Sequence, residues 1–192
     1  MDLMKWVKGQ HAGVRYIFEA SVRGSLLPAQ LLERLGGKGN SIAWLMWHSA
    51  RSEDVIVNSI IRGEPQVLTQ GWQDKAGLDM THIGTGLSDD EVAEFGKRAD
   101  PTVIDDYWGA VALQTSTWLA SIDPSALDVT PDMDERLKGV PPILAGGGTG
   151  AMDFWRGRSS GFLLSSPVIS HQYMHVGEMQ YIRGALGSSG WF

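Results

Sequence analysis

The chain has 192 residues, enough to bury a core without covalent staples, and contains no cysteine, which removes disulfides, cysteine-ligated zinc and a cysteine nucleophile from consideration. A formal net charge of −6 with no basic run argues against non-specific nucleic-acid binding, which needs clustered Lys and Arg. No stretch approaches the roughly 20 apolar residues of a membrane span, and "MDLMKWVKGQHAGVRY" lacks the apolar run of a signal peptide, so the expectation is a soluble, cytoplasmic protein, one domain over residues 1–192, with neither nucleic acid nor membrane as partner.

The first helical stripe lies at Gln10–Arg23, where Val14, Ile17, Phe18 and Val22 share a face. His11, at its start, is expected to be solvated. "SLLPAQLLERLGGKGNS" reads as a connection with one short helical turn. A second helix opens at Asn40 or Ser41, either of which can cap it, and runs to Arg62, with Gly63 as its stop. Glu64–Thr85 is irregular. Ser88 with Glu91 forms a capping box that starts a short helix. Asp100 as cap and Pro101 at the first helical position open a third long helix, "PTVIDDYWGAVALQTSTWLASI".

From Asp123 to Ser166 the pattern is again mostly loop. The run Gly146–Gly150 lacks the trailing Gly-Lys-Ser/Thr of a phosphate loop and reads as a plain connection. Arg156 and Arg158 offer an anion contact there, or simply solvated charge. Ser166 and Pro167 open a fourth long helix that ends near Gly184 or Gly187. "VIVNSII" is rich in β-branched residues but continues a helical stripe, so no strand pattern convinces. Four long helices with two long connections predict an all-α four-helix bundle. Connections of that length, at 64–85 and 123–165, carry or cover a site.

Histidines supply the candidate chemistry. His171 and His175 stand four apart, which puts both on one face of a helix, one turn apart. A His-x-x-x-His pair is a weak motif, and without a glutamate after the first histidine it is not the zinc-protease pattern; two partly buried bundle histidines explain it equally. His48 follows Trp44 by four and precedes Val55 by seven on the core-facing stripe of the second helix. It is either a hydrogen-bonded core residue or a third ligand, because an unpartnered buried imidazole is costly. Three neutral imidazoles around a cation leave a position open, the layout of a catalytic site. His82 sits in a loop that could reach the same place.

"WLMWHSARSEDV" on the second helix, "THIGTGLSDDEVAEF" before the third and "HQYMHVGEMQYIRGALG" on the last together resemble the DinB-like (DinB/YfiT-like) family, over about Val14 to Leu186. The resemblance implies a four-helix bundle in an up-down-down-up arrangement, with His48, His171 and His175 holding a divalent metal, zinc or nickel. It also implies a homodimer and, from some members, use of a low-molecular-weight thiol such as mycothiol, in transferase or isomerase reactions on a small-molecule substrate. With no cysteine in the chain, any thiolate at the metal comes from outside. The same site also fits a metal-dependent hydrolase, or a non-catalytic bundle that binds a metal or ligand.

Several neighbours carry paired readings. Glu178 is a general base or an orienting partner of the histidines, or a helix-face ion pair with Arg183 or Arg51. Arg51 binds a carboxylate substrate, or lies in an ion pair at the bundle edge. Trp44, Trp47 and Trp108 could supply dimer interface through exposed aromatic faces.

Overall fold

The computed structural model describes residues 2–78, 80–144 and 150–187, so most of the glycine run, from Gly146 to Thr149, lies outside the described residues. Its first helix, α1, runs Leu3–Ser21 and starts seven residues earlier than Gln10. The Asp2 carboxylate accepts from the Lys5 amide at 3.1 Å and caps it. The buried stripe is Met4, Val7, His11, Val14 and Phe18, spaced three and four apart. His11 thus belongs to the inward face and is buried, not solvated as its position near a helix start suggests.

Helix α2, Ile42–Glu53, is capped by Ser41, whose hydroxyl accepts from the Trp44 amide at 3.2 Å. It continues as wider π-type turns over Asp54–Arg62 and stops at Gly63. That glycine has φ 68°, the left-handed conformation that ends helices and disfavours side chains. Helix α3, Asp89–Arg98, begins with the Ser88–Glu91 capping box. Helix α4, Pro101–Ser121, begins at Asp100, whose carboxylate accepts from the Thr102 and Val103 amides.

Helix α5, His171–Ala185, is the last turns of a longer helical run. Ser160–Leu163 and the π-type Leu164–Ser170 lead into it without a break. Pro167 therefore lies inside the run instead of opening it. Proline removes the amide that an α-turn needs and crowds the carbonyl four residues back; the wider turn around it relieves both demands. Short helices at Pro28–Leu31, Trp72–Ala76, Met133–Arg136 and Gly150–Trp155 decorate the connections. No strand forms among the described residues.

The bundle is α1, α2, α4 and α5. Helix α2 packs most extensively on α4 and also on α5, while α1 packs on both α4 and α5. Phe18, Trp47, Tyr107 and Trp108 are fully buried between them. The Phe18 and Trp108 rings lie 4.9 Å apart and those of Trp47 and Tyr107 5.5 Å. Trp44, Trp47 and Trp108 are 6%, 0% and 0% exposed, so none of them offers a face to a second subunit. A second cluster joins Ile56, Ile60, Leu119 and Val168 to Ile83, Ile143 and Trp155 from the long connections. Those connections are packed onto the bundle, and this brings them to the histidines.

Candidate metal centre

His48 from the middle of α2 meets His171 and His175 from the first two turns of α5. Nε2 of His171 lies 3.2 Å from Nε2 of His48 and 2.9 Å from Nε2 of His175. One nitrogen from each ring falls within 4.8 Å of the others. His48 and His175 are about 5% exposed and His171 is half-buried.

The outer nitrogens explain why the inner ones converge. His48 Nδ1 lies 2.5 Å from the Ile83 carbonyl oxygen, and His175 Nδ1 lies 2.9 Å from the Glu178 carboxylate. Both partners are acceptors, so both Nδ1 atoms carry the proton. Both Nε2 atoms are then bare lone pairs pointing at a third imidazole nitrogen. One proton on His171 cannot satisfy two such lone pairs and its own ring geometry at once; a cation between the three can. His171 Nδ1 is buried without a hydrogen-bond partner among the described residues.

Electrostatics keep His48 and His171 in the ligating form. Burial pushes the His48 pKa down to about 4, with the hydrogen bond to Ile83 resisting and His175 assisting. Burial, then the neighbouring His175 and His48, push His171 down to about 3. Both are neutral near pH 7. Trp44 stacks on His48 with centroids 5.0 Å apart and planes 10° from parallel. Gly84 lies against that tryptophan: it has φ +88°, and a Cβ there would sit 3.2 Å from Trp44 Cζ2.

The Ile83 carbonyl is held in place by residues read differently from the sequence. Arg51 is fully buried, not at the bundle edge. Its guanidinium donates to the Thr81 carbonyl, to Gln66 Oε1 at 2.8 Å and to the Tyr107 hydroxyl at 3.0 Å, and pairs with Asp54 at 3.2 Å. It ties down the loop that presents Ile83 and has no face for a substrate. The Ile83 amide donates in turn to the Ile143 carbonyl at 2.8 Å, joining the two long connections. His82 stays outside the cluster: its Nδ1 accepts from the Gly84 amide at 3.1 Å and its ring faces Leu87 and Glu91 around a separate cavity. Glu178 takes the orienting position on His175 with its carboxylate 45% exposed.

A second buried network bears on α5, and sequence inspection misses it. His11 Nε2 lies 2.7 Å from Glu53 Oε1, and Gln172 Nε2 donates to Glu53 Oε2 at 2.7 Å. Gln172 Oε1 accepts from the Trp108 indole at 3.0 Å. One residue from each bundle helix meets at this point, next to His171. The available signal was His11 itself, in register with Met4, Val7, Val14 and Phe18.

A cavity of about 530 Å³ opens on the cluster, with His48 and His171 in its wall. It lies between the histidines and the connections at 64–85 and 123–165, through Ile83, Thr85, Phe154 and Trp155.

Fold and site together define an all-helical bundle with a buried three-histidine group able to hold a divalent cation. Residues 20–146 match the DinB superfamily, and the chain belongs to that family. The match contains His48 and ends before His171 and His175. Among solved structures the chain is similar to a conserved protein from Enterococcus faecalis, with 20% identity over 98% of this chain and 99% of that one and a TM-score of 0.70. Likeness at that identity speaks for the fold alone. A comparison with curated proteins finds no match. Among the described residues no helix is long and apolar enough to cross a membrane.

Proposed function

We propose that the protein is a metal-dependent enzyme that uses His48, His171 and His175 to hold zinc or nickel and brings a low-molecular-weight thiol of the mycothiol type to a small-molecule substrate. The observation that carries this reading is the convergence of three Nε2 atoms, two of them on rings whose outer nitrogens are already committed to acceptors. Neutral imidazoles suit both metals, and three of them leave a coordination position for an exogenous ligand. A cation so held lowers the pKa of a thiol or water that reaches it.

The chain's own residues do the rest. Ile83 and Glu178 fix the tautomers and ring orientations of His48 and His175. Packed connections and the Trp44 stack keep water from two of the three rings. The chain contributes no sulfur nucleophile of its own, because it has no cysteine. In the transfer, the external thiol loses its proton to solvent, its sulfur lone pair forms a bond to an electrophilic atom of the substrate, and any leaving group departs with its electron pair.

Two measurements test this. Elemental analysis of gently purified protein should find about one zinc or nickel per chain. Calorimetric titration of the metal-loaded protein with mycothiol, bacillithiol, glutathione or coenzyme A, in two buffers of different ionisation heat, should show saturable binding. That binding should depend on metal and release about one proton, because free thiols titrate near 8.5. A loaded protein that binds none of the four thiols loses the thiol reading and keeps the metal one.

A further inference from the structure

The cavity beside the histidines has a wall chemistry that says what it accepts. Ile83, Phe154, Trp155, Pro167 and Met174 form most of it. Its polar members apart from the histidines are the hydroxyls of Ser52, Thr85, Ser166 and Ser170, and no Lys, Arg, Asp or Glu lines it among the described residues. Ser52, one helical turn past His48 and 2% exposed, has no hydrogen-bond partner among the described residues.

The arginines that the sequence places nearby do not line the cavity. Arg156 pairs with Asp134 at 2.8 Å and Asp153 at 2.9 Å. Arg158 lies over the Phe154 and Phe162 rings, 5.6 and 5.0 Å from their centroids. Arg51 is sealed in its own network. An anionic group buried in this cavity would have no cation from the chain to replace its hydration, and that loss is costly. An uncharged aromatic group would gain by burial against Phe154 and Trp155. A volume of about 530 Å³ suits a small organic molecule.

We propose that the wall of this cavity away from the histidines binds the uncharged, largely aromatic part of a small-molecule substrate and discriminates against a carboxylate placed there. Resting on the metal-enzyme reading, this names its substrate class: the electrophile that receives the thiol is neutral and apolar on the side away from the cluster.

The test separates the cavity from the cation. Calorimetry with 2-naphthol and 2-naphthoate, which share a ring system and differ in charge, is run on metal-free and on zinc-loaded protein at pH 7.5. The metal-free comparison decides, because there a carboxylate has no zinc to bind. 2-Naphthol should bind at least tenfold more tightly than 2-naphthoate. Phe154→Lys, at a half-exposed position, brings in a cation and should narrow that ratio at least fivefold, with circular dichroism checking the fold. Equal or tighter binding of naphthoate to metal-free protein, no binding of either probe, or a ratio indifferent to Phe154→Lys would each overturn the proposal. If naphthol binds but zinc binding survives loss of the histidines, the cavity stands and the metal reading falls. If zinc needs the histidines but neither probe binds, the reverse holds.

Discussion

Replacing His11 by leucine probes the most deeply buried charge pair between α1 and α2. His11 and Glu53 are 5% and 1% exposed and 2.7 Å apart. Burial lowers the His11 pKa, but the Glu53 carboxylate outweighs it and leaves the value raised. Burial raises Glu53, but His11 outweighs that and leaves it lowered, with Gln172 helping. Removing one partner of such a pair leaves the other charge buried alone, at a cost of about 3–5 kcal/mol. For a chain of this length each kcal/mol moves the melting temperature by about 2–4 °C, so a loss near 3 kcal/mol is about 6–12 °C. The double variant His11→Leu/Glu53→Leu should recover much of it, because neither charge remains to be buried. The sign with pH follows by linkage. The raised His11 contributes fully below its unfolded value of about 6.5 and loses its contribution as pH rises through the folded value; the lowered Glu53 contributes above about 4.3 and loses its share as pH falls through its folded value. The pair is therefore strongest between the unfolded values of the two groups, about pH 4.3 to 6.5, and the gap between wild type and His11→Leu should narrow as pH rises through the raised folded value of His11. Urea unfolding at pH 5.5 and pH 9 measures it. A single variant as stable as wild type at pH 5.5, or a double variant costing at least twice the single, would refute the reasoning.

Three further outcomes are expected. His48→Ala, His171→Ala and His175→Ala should each cut bound zinc or nickel strongly while leaving the far-ultraviolet helical signal largely intact, since bundles fold through apolar packing; equal metal content in all four proteins would end the site assignment. Glu178→Gln weakens the acceptor that orients His175 and should lower zinc affinity about 10–100-fold, measured by competition with a chelator, and an unchanged affinity would demote Glu178 to a surface carboxylate. Gly84→Ala puts a Cβ at positive φ and 3.2 Å from Trp44, so it should lose at least about 1 kcal/mol in thermal unfolding; a neutral result would mean that the Trp44 side of the site is softer than its stacking suggests.

What the sequence made legible was local. Ser41, Ser88 with Glu91, and Asp100 with Pro101 mark helix starts because a capping side chain and its amide lie within three residues. The pair His171 and His175 shares a face by helical periodicity alone, and His48 stood out as an imidazole on a core-facing stripe, with the likeness to the DinB-like family favouring the ligand reading. What stayed hidden was non-local or belonged to the backbone. Glu53 finds His11 across 42 residues and Gln172 across 119, and nothing in either segment announces the meeting. The acceptor on His48 is a main-chain carbonyl, and every residue carries one. Arg51 looks like a surface cation until Asp54, Gln66 and Tyr107 enclose it. Pro167 reads as a helix start because the wider turn that accommodates it has no signature in the sequence.

Where the wide turns fall bears on the site. On α2 the π-type stretch begins at Asp54, after His48 and after Glu53. Before α5 it ends at Ser170, one residue before His171. Both histidine-bearing segments therefore keep ordinary α-helical periodicity. That matters most between His171 and His175, which converge on one point only if four residues amount to about one turn; a wide turn placed between them would swing one ring away from the other. The irregular turns re-phase each helix outside the cluster, where Pro167 and the packed connections need it. The Glu53–Gln172 hydrogen bond then ties the rotation of α5 to α2 within one residue of His171. The geometry of the three imidazoles thus depends on a regular helix register, a buried polar tie between two helices and a carbonyl supplied by an anchored loop.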